Sequence, residues 1–338
     1  MIIKYTTFSA LLISVAISAP AANSEERNES LVLSVENDVF TGSDSNYTNG
    51  ISINWSTDSL SKYEPGSFVG GVANLLDFAP GFDSDGEDDH LLFSLIHEMN
   101  TPSDITIVDP PLTEQPYSGI LLLGTSLYSD RGDWQQTWNL RVGAVGPITQ
   151  ADHLQRAYHQ WSGADEPRGW STQLPNEPIF NIGYVRSDNW FESQLAGDYD
   201  LRLSSIANVE AGTYATALGL GSVVEIGKDL NQTVTSSSLG GGIGSFVGVG
   251  AEPTQSLEVS GFAGVIGYAV GHYLPIDGNV FRDSRSINDR EDLVAQFGTG
   301  ISARYGNFIG SFAVTFATNP NDRDDTLDVG ILSVGWVF

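Results

Sequence analysis

Apolar residues recur at every second position along most of the chain. In Ile51-Ser52-Ile53-Asn54-Trp55-Ser56 the odd positions are apolar and the even ones polar. In Trp138-Asn139-Leu140-Arg141-Val142-Gly143 the even positions are apolar. Side chains on a strand alternate between two faces, so each such segment has one apolar face. Twelve segments of this kind lie near 31–39, 47–57, 90–98, 118–129, 134–145, 178–191, 199–210, 213–228, 256–270, 292–305, 308–318 and 328–338. Their length of roughly ten residues is what a tilted membrane strand needs. In a soluble sandwich the apolar faces would meet a core. In a membrane barrel they meet lipid, and the polar faces line the lumen. The last segment favours the barrel: Leu332, Val334, Trp336 and Phe338 share one face, and the strand ends on an aromatic residue. The pattern predicts an all-β protein, a transmembrane antiparallel β-barrel of about twelve strands.

The first residues depart from this pattern. Lys4 precedes an apolar stretch over 8–17, and small residues follow at Ala19, Ala21 and Ala22. That order predicts a secretory signal peptide over 1–22 and a barrel domain over 23–338. The apolar stretch is too short to span a membrane as a helix, and no other long one exists. A second departure lies at 149–162, where the period becomes helical. Thr149 is the expected N-cap, Asp152 its acidic partner and Gly163 the C′ residue.

Charge and cysteine content narrow the function. The net charge is −27, with 42 acidic residues against 15 Lys and Arg, which argues against a nucleic-acid partner. There are no cysteines, which excludes disulfides, thiolate metal sites and cysteine nucleophiles. The acidic runs 83–89 and 321–325 lack the spacing of an EF-hand loop and are expected to be solvated loop ends.

An even strand number puts both chain ends on the periplasmic side. The 40–46 turn and the long 146–177 segment then lie on the outer side, with the helix as a lid or plug. Gln155 and His159 are four residues apart and share a helix face. Asn37 and Asp38 end the first strand where Thr48 begins the second, so these residues are expected to converge on the outer rim. The other histidines, His90, His97, His153 and His272, are expected in loops or at the rim. Tyr158 and Trp161 are expected to pack.

Several segments then carry a family resemblance: Ser34-Val35-Glu36-Asn37-Asp38, Tyr47-Thr48-Asn49-Gly50, Thr101-Pro102, Gly146-Pro147 and Gln155-Arg156-Ala157-Tyr158-His159. Gly169-Trp170-Ser171-Thr172-Gln173-Leu174 and the stretch 277–284 continue it. In this order they resemble the lipid A 3′-O-deacylases, calcium-dependent outer-membrane esterases with a twelve-stranded barrel. The resemblance implies His159 as general base, Asp38 and Asn37 at a calcium ion, and Thr48 and Gln155 completing the site. Asp165 stands where the family carries a carboxylate and would orient or neutralise His159. The family's lysine after the Thr-Pro pair is replaced by Ile107. The implied protein is a monomer of the Gram-negative outer membrane acting on lipid A of lipopolysaccharide. The alternatives are a non-enzymatic channel or structural barrel, with an unobstructed polar lumen, and a phospholipid acyl hydrolase.

Overall fold

The computed structural model describes residues 27–41, 47–228, 230, 233–239, 242–288, 290–318 and 327–338. The predicted signal peptide and the acidic run 321–325 lie outside the described residues. The strands are β1 (Ser30–Asn37), β2 (Tyr47–Ser56), β3 (Asp89–Asn100), β4 (Ser118–Asp130), β5 (Trp134–Val145), β6 (Glu177–Gln194) and β7 (Asp200–Gly212). They continue as β8 (Ala215–Gly227), β9 (Thr233–Ser238), β10 (Gly242–Val247), β11 (Thr254–Tyr273), β12 (Leu293–Gly306), β13 (Phe308–Ala317) and β14 (Leu327–Val337). Twelve of these close into an antiparallel barrel, with β8 paired directly to β11 and β14 to β1. Every segment expected from alternation is a wall strand. The first and last described segments meet at one end of the barrel, where Phe338 N donates to Glu29 O (2.8 Å).

The outer face follows the predicted phase. Leu33, Ile53, Leu123, Ile182, Leu220 and Trp336 all point outward and are exposed. The opposite phase corrects an expectation. The inner face is not simply polar: Ile120, Leu122, Ile179, Ile206, Val223 and Ile266 form a buried apolar cluster inside the barrel. Ion pairs surround it. Arg202 and Glu225 are both buried and lie 2.8 Å apart. Removing either partner would strand the other charge, which typically costs about 3–5 kcal/mol.

The β9–β10 hairpin is a feature the alternation did not reveal. The inward-facing Asn208 donates to Ser237 O (2.8 Å), and the inward-facing Gln296 donates to Leu239 O (2.8 Å). The hairpin connection therefore folds into the lumen. An inserted hairpin and an apolar cluster are the opposite of the unobstructed polar lumen that the channel reading requires.

Among the described residues, three α-helices stand outside the strand pattern: α1 (Phe68–Leu76), α2 (Ala151–Ser162) and the one-turn α3 (Leu274–Asp277). The helix expected at 149–162 is α2. Gly163 takes the left-handed C′ position (φ 77°), and its N–H donates to His159 O at 2.8 Å. The N-cap differs from expectation. Gln150, itself left-handed at φ 59°, holds that place without a side-chain cap. Thr149 Oγ1 instead donates to Gly146 O (2.8 Å), inside the turn that precedes the helix. The acidic run 83–89 is also only partly a solvated loop end. Asp89 is buried, paired with Arg131 at 2.8 Å, and accepts from Ser129 Oγ at 2.6 Å.

Candidate active site

The upper ends of three neighbouring strands set the floor of the site. Asn37 is in phase with the outward residues Leu31, Leu33 and Val35 of β1. Asn49 is in phase with the outward Ile51 and Ile53 of β2, and it pairs with Met99 of β3. Asn37, Asn49 and Met99 thus belong to the exterior of the barrel, on the face that lower down meets lipid.

Helix α2 is docked on that same exterior. Gly119, in phase with the outward Leu121 and Leu123, makes room for it. A Cβ there would fall 2.4 Å from Ala151 Cβ and 2.3 Å from Thr149 Oγ1. His97, also outward on β3, places Nε2 3.1 Å from Thr149 O. A carbonyl only accepts, so Nε2 donates and ties the helix start to the wall. His97 is therefore a wall residue that anchors the helix, not a loop or rim residue. His90 and His272 lie at strand ends, second in β3 and next to last in β11, where rim residues are expected. Tyr158 and Trp161 are exposed and pack on each other, ring centroids 6.1 Å apart.

Between wall, helix and the 101–106 loop lies a cleft of about 350 Å³. The wall contributes Asn37, Asp38, Asn49 and Met99. Helix α2 contributes Gln155, Tyr158, His159 and Ser162, and Asp165 closes one side. Of the residues expected to converge, Asn37, Asp38, Gln155 and His159 line this one cleft, and Asp165 lines it with them. The side chain of Thr48 lies outside the described residues.

His159 is held by a main-chain group. Its Nδ1 lies 2.5 Å from Asp165 O. Because the carbonyl cannot donate, Nδ1 carries the proton, and in the neutral ring Nε2 is left as an acceptor. Asp165 therefore orients the imidazole through its backbone, not through the carboxylate expected to do so.

Gln155 is fixed from behind. It is 1% exposed, and its Oε1 accepts from Trp170 Nε1 at 2.6 Å. That bond assigns the amide orientation: the oxygen faces Trp170, and the Nε2 donor is buried without a partner. Trp170 packs on Tyr117, ring centroids 5.0 Å apart. Burial pushes the Tyr117 hydroxyl up to about 12, so it stays protonated and donates to Ile105 O (3.0 Å).

Oxygen donors gather at the strand ends. Asp38 is buried at the start of a 3-10 turn, where Asp38 O accepts from Thr41 N (2.9 Å). Asn49 Oδ1 is buried and has no hydrogen-bond partner. Among the described residues no group of three or more His, Asp and Glu is gathered for a metal. A carboxylate with amide oxygens, one of them orphaned, nevertheless fits calcium, which takes carboxylate and amide carbonyl oxygens together.

Sequence reasoning missed Asn49, Ser103, Asp104 and Thr106 as lining residues. A signal existed for Asn49: it is a polar residue in phase with a lipid-facing row. Asp104 accepts from Thr106 Oγ1 (2.6 Å) and Thr106 N (2.9 Å), and these bonds hold its carboxyl below the usual carboxylate range. Ile107, at the position of the family's lysine, is not among the lining residues, nor is any Lys or Arg.

A closed outer-membrane barrel with a filled lumen and a polar cleft on its exterior defines the class of molecule. The profile of the family described as "Outer membrane protein LpxR" matches residues 8–338, and the chain belongs to this family of outer-membrane lipid A 3′-O-deacylases. The structure is similar to LpxR from Salmonella typhimurium, with a TM-score of 0.74 and 18% identity over 91% of this chain and 100% of that one. The β-domain of the Bordetella autotransporter Brka matches with a TM-score of 0.43 and 8% identity, over 93% of this chain and 99% of that one. The translocator domain of NalP from Neisseria meningitidis matches with a TM-score of 0.35 and 8% identity, over 94% of this chain and 90% of that one. No curated protein sequence matches significantly.

Proposed function

We propose that this protein is a hydrolase that cleaves an ester-linked acyl or acyloxyacyl chain from lipid A, with His159 as general base. The observation that carries this reading is the position of the cleft. Its floor belongs to the lipid-facing phase of β1 to β3, at the outer end of the wall. A lipid in the outer leaflet can reach such a cleft sideways, without leaving the membrane.

In the proposed reaction a water molecule attacks the ester carbonyl carbon as His159 Nε2 takes its proton. The Nδ1–H bond to Asp165 O keeps the imidazole in the tautomer this requires. The carbonyl oxygen becomes an oxyanion, and the unpartnered amide of Gln155 is the donor poised to receive it. Collapse then breaks the bond between the acyl carbon and the sugar oxygen. His159 returns its proton to that oxygen, releasing a fatty acid and a sugar hydroxyl. Trp170 fixes the direction of the Gln155 donor throughout.

Asp38, Asn37 and the amide oxygen of Asn49 are the residues that would hold calcium, with Thr48 completing the polar site. Bound there, calcium would offset negative charge developing on an acyl oxygen. A second substrate, glycerophospholipid, is consistent with the cleft lining, which holds no Lys or Arg side chain to select the two phosphates of lipid A.

The test is purified protein in detergent, with calcium, offered lipid A and diacyl phospholipid in parallel. Fatty acid release from lipid A well above that from phospholipid supports the proposal. Release from phospholipid alone supports the alternative, and release from neither refutes both.

A further inference from the structure

At the other end of the barrel, the 57–88 connection does not hang free in the periplasm. It lies across the outside of the wall. Leu60, Tyr63, Val69 and Ala73 pack with Leu91 and Leu127 in one buried cluster, flanked by Trp55, Phe93, Trp138 and Leu140. The wall residues of this cluster share the outward phase of Ile53, Leu95, Leu123 and Val142. Pro80 O accepts from Gln136 Nε2 (2.8 Å) and Trp138 Nε1 (3.1 Å), which extends the strap to β5.

Helix α1 is the centre of the strap. Its sequence, FVGGVANLL, contains no charged residue. Ser67 Oγ caps its start by accepting from Gly70 N at 3.0 Å. Val69, Gly70 and Ala73 are its buried residues and face the cluster. A second apolar row faces away. Phe68 and Leu75 are 67% and 73% exposed, and Phe78, just past the helix end, is 81% exposed. A water-facing helix would carry polar residues there.

This row is continuous with the lipid-facing wall. Phe68 packs on Phe93 with ring centroids 5.5 Å apart, and Phe93 stacks on Trp55 at 5.2 Å. Trp138 and Tyr184 continue the aromatic band around the barrel at 4.5 Å. Aromatic girdles of this kind mark the membrane interface of outer-membrane barrels. On the periplasmic side of that band the neighbouring lipid is the inner leaflet of the outer membrane.

We infer that α1 and Phe78 form an interfacial lipid-binding surface, inserted among the acyl chains of the periplasmic leaflet. Phe68, Leu75 and Phe78 are its contacts. The surface adds an apolar foot outside the wall, beside β2 to β5, and fixes the depth and tilt of the barrel on the side that carries the cleft. Helices that present an apolar face at an interface bind in this way, in proportion to the area they bury.

The absence of native cysteine permits a direct test. Single variants Leu75→Cys and Phe78→Cys are labelled with bimane and reconstituted in phosphatidylcholine vesicles. Leu332→Cys serves as the wall reference and Asp133→Cys as the reference in a periplasmic turn. The inference expects nitroxide-bearing lipid to quench the labels at 75 and 78 as it quenches the label at 332, and aqueous iodide to leave them bright. Quenching by iodide alone, as expected at 133, would overturn it. So would protection from both quenchers, because a protein partner or second copy would then cover the surface. If the variants do not assemble, photoactivatable phosphatidylcholine with the wild-type protein reads the same point. Adducts within 68–78 support the inference, and adducts confined to wall strands overturn it.

Discussion

His159 Nδ1 lies 2.5 Å from the main-chain carbonyl of Asp165, so the residue after the helix sets the tautomer of the residue within it. The group that performs this task is the peptide oxygen. A change in the Asp165 side chain should therefore leave most of the activity, whereas loss of the imidazole should not. His159→Ala is expected to reduce turnover by about 10²–10⁴-fold, the usual contribution of a general base. Asp165→Asn is expected to stay within about tenfold of wild type, since it retains the carbonyl. Turnover of lipid A in detergent measures both, with heat-modifiable migration on gels reporting an intact barrel.

Gln155 and Trp170 should behave as donor and positioner. Gln155→Ala removes the proposed oxyanion donor and is expected to lower kcat by about 10²–10³-fold. Trp170→Phe removes one hydrogen bond to Gln155 Oε1, worth about 0.5–1.5 kcal/mol, and corresponds to roughly tenfold or less. Both effects should fall on kcat more than on KM. A rise in KM with kcat unchanged would assign Gln155 to substrate binding instead.

Gly119 gives a test of helix docking that touches no reacting group. Gly119→Val places a branched side chain where Ala151 and Thr149 already sit. The expected result is a barrel of normal thermal stability with strongly reduced activity, because the wall strands remain paired while α2 is displaced. Normal activity would show that α2 need not contact the wall.

The calcium reading predicts loss of activity on chelation and recovery on adding calcium, with magnesium a poor substitute because it demands tight octahedral geometry. Asp38→Asn and Asn49→Ala should each raise the calcium concentration needed for half-maximal turnover. Full wild-type activity in excess chelator would remove the metal from the account.

Stability in acid should depend on the periplasmic cluster around Asp58. Burial alone would raise this carboxyl. The hydrogen bond from Lys62 and those from the N–H groups of Asn28 and Ser59 outweigh burial and lower it. A group lowered in the folded state stabilises above its unfolded value, and that contribution is lost as pH falls through the folded value. Wild type should therefore lose heat resistance below about pH 4, where free Asp titrates. Asp58→Asn should be less stable at neutral pH and show a shallower loss in acid, read from the gel-shift temperature at each pH.

The wall was legible because its period is two and its outer face must be apolar along every strand. The helix α2 was legible because Gln155, His159 and Gly163 follow helical spacing. Helix α1 was not, because FVGGVANLL has no polar face to set a period and holds two glycines. Its environment, a lipid-facing wall on one side and an apolar row on the other, explains that lack. The β10 strand, GIGSFV, is short and rich in glycine, and the β9–β10 hairpin is held in the lumen by remote wall residues such as Gln296, which donates to Leu239 O. The convergence of Asn37, Asp38, Gln155 and His159 followed from hairpin topology and the family resemblance. That the cleft lies outside the barrel follows from phase alone, since Asn37 and Asn49 keep step with lipid-facing residues.

The most direct measurement is mass spectrometry of lipid A extracted from Gram-negative cells that produce the wild-type protein, the His159→Ala variant or neither. A lipid A species lighter by one acyl or acyloxyacyl group is expected with the wild type only, while both proteins reach the outer membrane in equal amounts. Identical lipid A in all three samples, or the same lighter species with His159→Ala, would contradict it.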